Sequence, residues 1–272
     1  MGVLSAIGSS APRMARIIGR HRRLLASITR VELAKRHAGS LLGIAWVVLQ
    51  PMLLLSVYLF VYMVVFPNRM ENFRNFNFVI YVFCGLVPYL GFMEALTTGG
   101  LSIKQNIHLV KNVLLPIELV PVRAVLVGMA SQFVSIGLVL VLAVSARVLS
   151  WHVIWLPAIV VLQMMWLIGL TWILSSLTVA LPDITYFVNL FVFLLMFVSP
   201  IGWSPDQVPS GFGWVLGFNP IFYLTAVYRD SILAAGRPSI GVMTVYVVMC
   251  LATFAIGGAF FERFKSVLTD YE

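Results

Sequence analysis

The side chains able to do chemistry in this 272-residue chain are few: ten carboxylates, four histidines and two cysteines. An enzyme that moves sugars on a lipid carrier would need paired carboxylates, or a diphosphate-binding acidic motif, facing a cavity. The acids here are isolated, with Glu94 and Asp183 each at the end of an apolar run. Cys84 and Cys250 lie inside apolar runs and read as small core residues, not as a disulfide or metal pair. The dipeptide Gly-Lys does not occur, so there is no G-x-x-x-x-G-K-[ST] phosphate loop. A dinucleotide glycine fingerprint, H-E-x-x-H and C-x-x-C are also missing. The chain therefore has no recognisable means of hydrolysing a nucleotide and is not expected to be an enzyme or to carry a cofactor. Any ATP-driven work would come from another polypeptide.

What positions these groups is a membrane domain. The chain is 61% hydrophobic and 10% charged, with a mean hydropathy of +0.99. Soluble domains carry about 25% charged residues, so the solvent for most of this surface is lipid. A charge at the centre of a span costs at least about 2.5–3.5 kcal/mol. Glu94 falls toward the inner end of a span and Asp183 at a boundary. Glu94 is expected to pair with a nearby Lys or Arg, which leaves few candidates for proton or sodium coupling.

The apolar stretch from Leu41 to Phe66 has 26 residues. As a helix it reaches about 39 Å at ~1.5 Å per residue, enough to cross a hydrocarbon core of about 30 Å. Five further runs follow, which predicts an all-α membrane protein with six transmembrane helices at about residues 41–66, 78–98, 120–146, 153–181, 184–201 and 240–261. They form one domain over 41–265, with a tail at 266–272. Ahead of them, residues 1–40 hold eight Lys and Arg, among them Arg30, Lys35 and Arg36. Met14, Ile17, Ile18, Leu24, Leu25, Ile28 and Val31 recur at helical steps between those charges. This is an amphipathic helix for the interface plane, drawn to anionic lipid and not to nucleic acid. It does not read as a cleaved signal peptide. Six spans put both ends on one side. With the N-terminus inside, inner segments hold 13 Lys/Arg and outer segments 5, so N-in, C-in is favoured.

Two other stretches stand out. Residues 203–238 are too broken for two spans and too apolar for a solvated loop. Asn219-Pro220 reads as an N-cap with a first-turn proline and Gly236 as a C-terminal stop, which predicts a helix at or dipping into the outer interface. The chain also has 35 aromatic residues. Aromatic faces stack on sugars, so Tyr58, Tyr62 and Phe191 are candidates for a glycan path, against ordinary lipid-facing packing.

Five stretches in order resemble one family. They are RVELAKRHAGSLLGIAWVVLQPMLLLSVYLFVYMVVF, NIHLVKNVLLPIELVPV, Leu181-Pro182-Asp183, FVSPIGWSPDQVP and NPIFYLTAVYRDSILAAGRP. Together they are similar to the permease subunits of type-2 ABC exporters for cell-surface polysaccharides such as O-antigen, capsule and teichoic acid. The acidic turn departs from the pattern, since no Arg precedes Asp183. The resemblance implies a multi-pass protein of the bacterial cytoplasmic membrane. Two copies would form a path, and two ATP-binding subunits holding the ATP and magnesium would dock inside. The substrate would be a lipid-linked polysaccharide. The inner loop, with Lys104, Asn106, His108, Lys111, Asn112 and Glu118, would couple to the ATPase. Arg30, Lys35 and Arg36 would form a rim for the lipid head. Pro200, Trp203, Asn219, Pro220, Tyr223 and Arg229 would belong to an outer gate. The rival readings are an intramembrane lipid-linked sugar transferase and an ion-coupled secondary transporter.

Overall fold

A computed structural model describes residues 3–36, 39–65, 75–106, 116–208, 211–233 and 239–270. The described chain is helical apart from one isolated antiparallel bridge between Leu149 and Leu233. Two helices, α1 (Val3–Arg20) and α2 (Arg22–Arg36), precede α3 (Trp46–Phe60), which runs on into a π-helical turn at Val61–Val65. Then come α4 (Asn75–Gly100), the short α5 (Ser102–Gln105), α6 (Leu119–Gly128) and α7 (Ala130–Ser145). A 3-10 turn at Trp151–Trp155 leads into α8 (Leu156–Ala180), followed by α9 (Ile184–Val198), α10 (Gly213–Phe218), α11 (Pro220–Ile232) and α12 (Ile240–Asp270).

Among the described residues, four helical segments are long and apolar enough to cross a membrane: Asn77–Gly100, Leu119–Ser145, Trp151–Ala180 and Ile240–Lys265. Trp46–Val57 and Ile184–Val198 are shorter apolar helices. These segments overlap the expected runs; the first helix begins at Trp46 instead of Leu41, and the fifth is shorter than expected. The fifth ends at Val198 because Ser199 turns to an extended backbone ahead of Pro200. The amphipathic segment is also two helices, not one. At the break, the His21 ring nitrogen and the His21 backbone N–H both lie against the Ile17 carbonyl, at 2.9 and 3.1 Å. A side chain entering the backbone ladder is an ordinary cause of a kink.

The bundle is built around α4 and α8. α4 buries Ile80, Phe83, Leu86, Tyr89, Phe92 and Ala95, and Phe92 stacks on Trp166 of α8 at 5.0 Å between ring centres. On its other side α8 meets α12 backbone to backbone. A Cβ at Gly169 would stand 2.4 Å from the Thr253 carbonyl oxygen, and one at Gly257 would stand 2.2 Å from that of Gly169. In lipid no hydrophobic force drives helices together, so such small-residue contacts, which let van der Waals packing act, hold them. Trp172 fills the space beside this crossing and tilts against Phe254 at 5.2 Å. By contrast α9 buries only Val192 and Leu195.

Ion pairs mark one end of the bundle. Arg36 of α2 is paired with Glu94 of α4, whose second oxygen accepts from Ser131 Oγ at 2.9 Å. Lys265 of α12 reaches Glu118 at 2.6 Å, and Ser10 of α1 donates to Glu262 of α12 at 2.6 Å. The N-terminal helices and the C-terminal end of α12 thus share this basic end. Gly257→Val is predicted to cost about 1–3 kcal/mol through overpacking. Gly137→Ala, where a Cβ meets nothing within 4 Å, is predicted to be neutral. Thermal unfolding of the detergent-solubilised chain measures both, and wild-type melting of Gly257→Val contradicts the close crossing.

Candidate functional site

At the end opposite the ion pairs, α11 is held to the bundle by its own polar side chains. Asn219 starts the helix as expected. Its Oδ1 accepts from the Ile221 backbone N–H at 2.9 Å, and Pro220 occupies the first turn, where a missing N–H costs nothing. Asn219 Nδ2 donates to Ser199 Oγ at 3.0 Å, joining the helix start to the end of α9 next to Pro200. The helix stops at Ile232, short of the expected Ala235, because Leu233 is drawn into the bridge with Leu149 and Ser150 N donates to the Ile232 carbonyl at 2.8 Å. Gly236 lies outside the described residues.

Arg229 is the central residue of this end and is only 6% exposed. Its Nε donates to the Tyr81 carbonyl of α4 at 3.2 Å, and its Nη2 donates to the Ile201 carbonyl at 2.8 Å. The guanidinium carbon lies 3.7 Å from the centre of the Tyr81 ring, a cation–π contact. Gly85 makes the approach possible, since a Cβ there would stand 2.8 Å from Nη2. One buried cation thus ties α11, α4 and the stretch after α9 together. Beside it lies a cavity of about 310 Å³ walled by Tyr81, Pro200, Phe222, Arg229 and Asp230. Burial holds the Asp230 carboxyl above the usual carboxylate range, opposed by a backbone hydrogen bond from Ser239 and by the Arg229 charge.

Deeper in the bundle, α11 joins a polar cluster that composition and motif reading did not single out. Gln132 Nε2 of α7 donates to Gln163 Oε1 of α8 at 2.8 Å and to Tyr228 Oη of α11 at 2.9 Å. Gln163 Nε2 donates to the Pro88 carbonyl of α4 at 3.0 Å and to Gln132 Oε1 at 3.1 Å. Tyr228 Oη donates to Gln163 Oε1. Every N–H and O–H of the three side chains is used. The signal in the sequence was two glutamines inside otherwise apolar runs. The room for them is made by Gly91, where a Cβ would stand 1.7 Å from Gln132 Oε1.

The structure therefore brings Pro200, Asn219, Pro220 and Arg229 to one place. Trp203 is half-buried in the bend after Ile201, and Tyr223 turns its hydroxyl to the Gly217 carbonyl at 2.9 Å. Phe191 is exposed on α9, while the side chains of Tyr58 and Tyr62 lie outside the description. Of the coupling residues, His108, Lys111 and Asn112 also lie outside it. Lys104 is exposed and Asn106 half-buried at α5. Glu118 points inward. It is buried, bonded to Lys265, and its backbone carbonyl accepts from Trp172 Nε1 at 3.0 Å. At the rim, Lys35 and Arg36 line a cleft with Arg123, whereas Arg30 is exposed away from it. Glu94, expected to pair with a Lys or Arg, has Arg36 as its partner. Asp183 is exposed and has no ion pair among the described residues.

Residues 23–233 match the family model described as ABC-2 type transporter. The chain belongs to that family. As an ABC-2 transporter chain it is a multi-pass membrane protein and a transport component. Among its relatives, an O-antigen export system permease protein RfbA of Myxococcus xanthus is 29% identical over 251 residues, covering 90% of this chain and 95% of the relative. Two proteins of that name from Klebsiella pneumoniae are 27% and 24% identical, covering 76% and 89% of this ABC-2 chain and 79% and 92% of their own lengths.

Arg229→Ala removes the side-chain donor to the Tyr81 and Ile201 carbonyls and the cation–π contact with Tyr81, and is predicted to cost at least about 2 kcal/mol. Asn219→Ala removes a cap worth about 1 kcal/mol. Denaturant titration of the purified chain reads both. Equal stability of Arg229→Ala and wild type contradicts the anchoring role.

Proposed function

We propose that this chain is the permease subunit of an ATP-driven exporter that carries a lipid-linked polysaccharide across the bacterial cytoplasmic membrane. The observation that carries the reading is the family match over residues 23–233, joined to relatives named for O-antigen export along nearly the whole chain. The six apolar segments are its spans, with N-terminus and C-terminus inside. Two copies of an ATP-binding subunit supply hydrolysis, since the chain has no phosphate loop of its own. They dock at the basic end, where α1 and α2 are strapped to α4 and α12 and where the segment after α5 begins.

A second copy of the chain completes the path. The support for this is α9, whose Tyr186, Phe187, Leu190, Phe191, Leu194 and Phe197 are all more than half exposed. Sugar rings moving along such a seam would meet aromatic faces and few charges. ATP binding draws the ATPase subunits together, and the strapped inner helices pass that motion to the spans. Because α11 is bonded to α4, α7 and α8, it moves with its own copy, and the exit opens between copies. The permease performs no covalent chemistry.

Export is tested by deleting the chain in its host. Polysaccharide is expected to vanish from the cell surface and to accumulate inside, with ATP-dependent delivery restored when the chain and its ATPase are supplied together. Turnover of a sugar donor by the lone chain would point to a transferase, and flux driven by an ion gradient to a secondary carrier. For the seam, Phe191→Cys is predicted to give a cross-linked dimer with a short bis-maleimide in native membranes. Val192→Cys, whose parent side chain is 1% exposed, is predicted to give none. Absence of the Phe191→Cys dimer contradicts the seam.

A further inference from the structure

At the basic end a cleft of about 350 Å³ opens between α2, the C-terminal end of α4, α5 and α6. Its charged walls come from elements far apart in sequence: Glu32, Lys35 and Arg36 from α2, and Arg123 from α6. Gln105 of α5 and Asn106 beside it add amides.

The cations there are incompletely matched. The Arg123 side chain is 8% exposed, and its Nη1 stands 3.7 Å from Glu32 Oε2, beyond hydrogen-bond range. Its Nε is fully enclosed and has no acceptor among the described residues. Arg36 is engaged by Glu94, but no carboxylate of the described residues lies within 4.0 Å of Lys35, which is exposed. A buried guanidinium with unmet donors is a costly arrangement unless something supplies an acceptor. Glu32 has an oxygen close by, yet its side chain is 42% exposed and does not close the bond.

The position of the cleft narrows the chemistry. Thr98, in the last turn of α4, lines it, and the apolar run of that helix ends at Gly100. The cleft thus lies where hydrocarbon gives way to lipid heads. Guanidinium and ammonium donors converging from two helices suit an anion with several oxygens. A phosphoryl group offers three where a carboxylate offers two.

We propose that this cleft binds the phosphoryl head of a lipid, with Arg123 and Lys35 holding its oxygens from opposite walls and Arg123 exchanging Glu32 for the ligand. The proposal rests on the exporter reading, in which a lipid-linked substrate presents a phosphate or diphosphate at the inner face. It adds Arg123 to the rim and leaves Arg30 out. Glu32 competes with the ligand for Arg123, so removing its charge should tighten binding. A purely structural role for Arg123 predicts no such gain.

The test uses the complete permease–ATPase complex in phosphatidylcholine nanodiscs. Three probes are offered separately: inorganic pyrophosphate in solution, a polyprenyl diphosphate in the bilayer, and phosphatidylglycerol at the same mole fraction. Native mass spectrometry reads occupancy. Lys35→Gln and Arg123→Gln are each expected to lower occupancy of at least one probe about tenfold, the effect of losing a charge-assisted hydrogen bond. Glu32→Gln is expected to raise it, and Arg30→Gln to leave it unchanged. The probe that responds identifies the source of the phosphoryl group. Lys35 is exposed, so its variant tests the cleft even where Arg123→Gln fails to assemble. Occupancy that is the same in wild type and Lys35→Gln for all three probes overturns the proposal, as does an Arg30→Gln loss equal to that of Lys35→Gln. Surface polysaccharide in cells is a separate readout, so failure of the cleft and failure of the exporter reading are distinguishable.

Discussion

Water cannot satisfy a polar atom in the middle of this bundle, so the polar atoms there must satisfy one another. That constraint explains the two clusters on which α11 depends. Gln132, Gln163 and Tyr228 use all of their donors on each other and on the Pro88 carbonyl. Arg229 is similarly committed to Tyr81 and Ile201. Buried networks rigidify when complete and become liabilities when broken. An amphipathic helix that could have floated at the interface is thereby fixed to three long helices. The glycines opposite these side chains, Gly85 and Gly91, belong to the same device, since a Cβ at either would collide with the group being held.

The two ends of the molecule use charge differently. At the basic end, pairs such as Lys265–Glu118 and Arg36–Glu94 join the N-terminal helices and α12 to the core. Their cations are close to half exposed, where an ion pair contributes little in isolation. Several pairs acting together on the same helices still fix their orientation. At the opposite end a single cation, almost wholly enclosed, has neutral backbone oxygens and an aromatic ring as partners. Between them α9 carries exposed aromatic side chains that the other described residues do not cover. Rigid ends with an uncovered side suit a half-path that is completed by another copy.

Much of this was legible in the residues. Runs of apolar side chains located the four long apolar helices and the two shorter ones, because hydropathy and length decide what can sit in lipid. Asn219-Pro220 announced a helix start through local chemistry, and Glu94 implied a Lys or Arg partner because an isolated carboxylate there is costly. What was not legible depended on contacts across the sequence. The partners of Arg229 are backbone carbonyls, one of them 148 residues away, and a carbonyl has no sequence signature. The early end of α11 follows from pairing between Leu233 and Leu149. The break at His21 comes from a ring nitrogen finding a carbonyl, which apolar residues at helical steps do not reveal. Glu118 was expected in an inner loop that couples to the ATPase, yet it turns into the fold toward Lys265.

The central claim is that α11 and α4 form one rigid body throughout the transport cycle. Double electron–electron resonance between spin labels at Asn77, near the start of α4, and Phe218, just before α11, tests it in permease–ATPase complexes in which one copy of the chain is labelled and the other is not, so that only the distance within one copy is read. Cys84 and Cys250 are buried and do not compete for label. The account predicts a single distance distribution shared by nucleotide-free and ATP-bound complexes. A second, longer population that appears with ATP would contradict it.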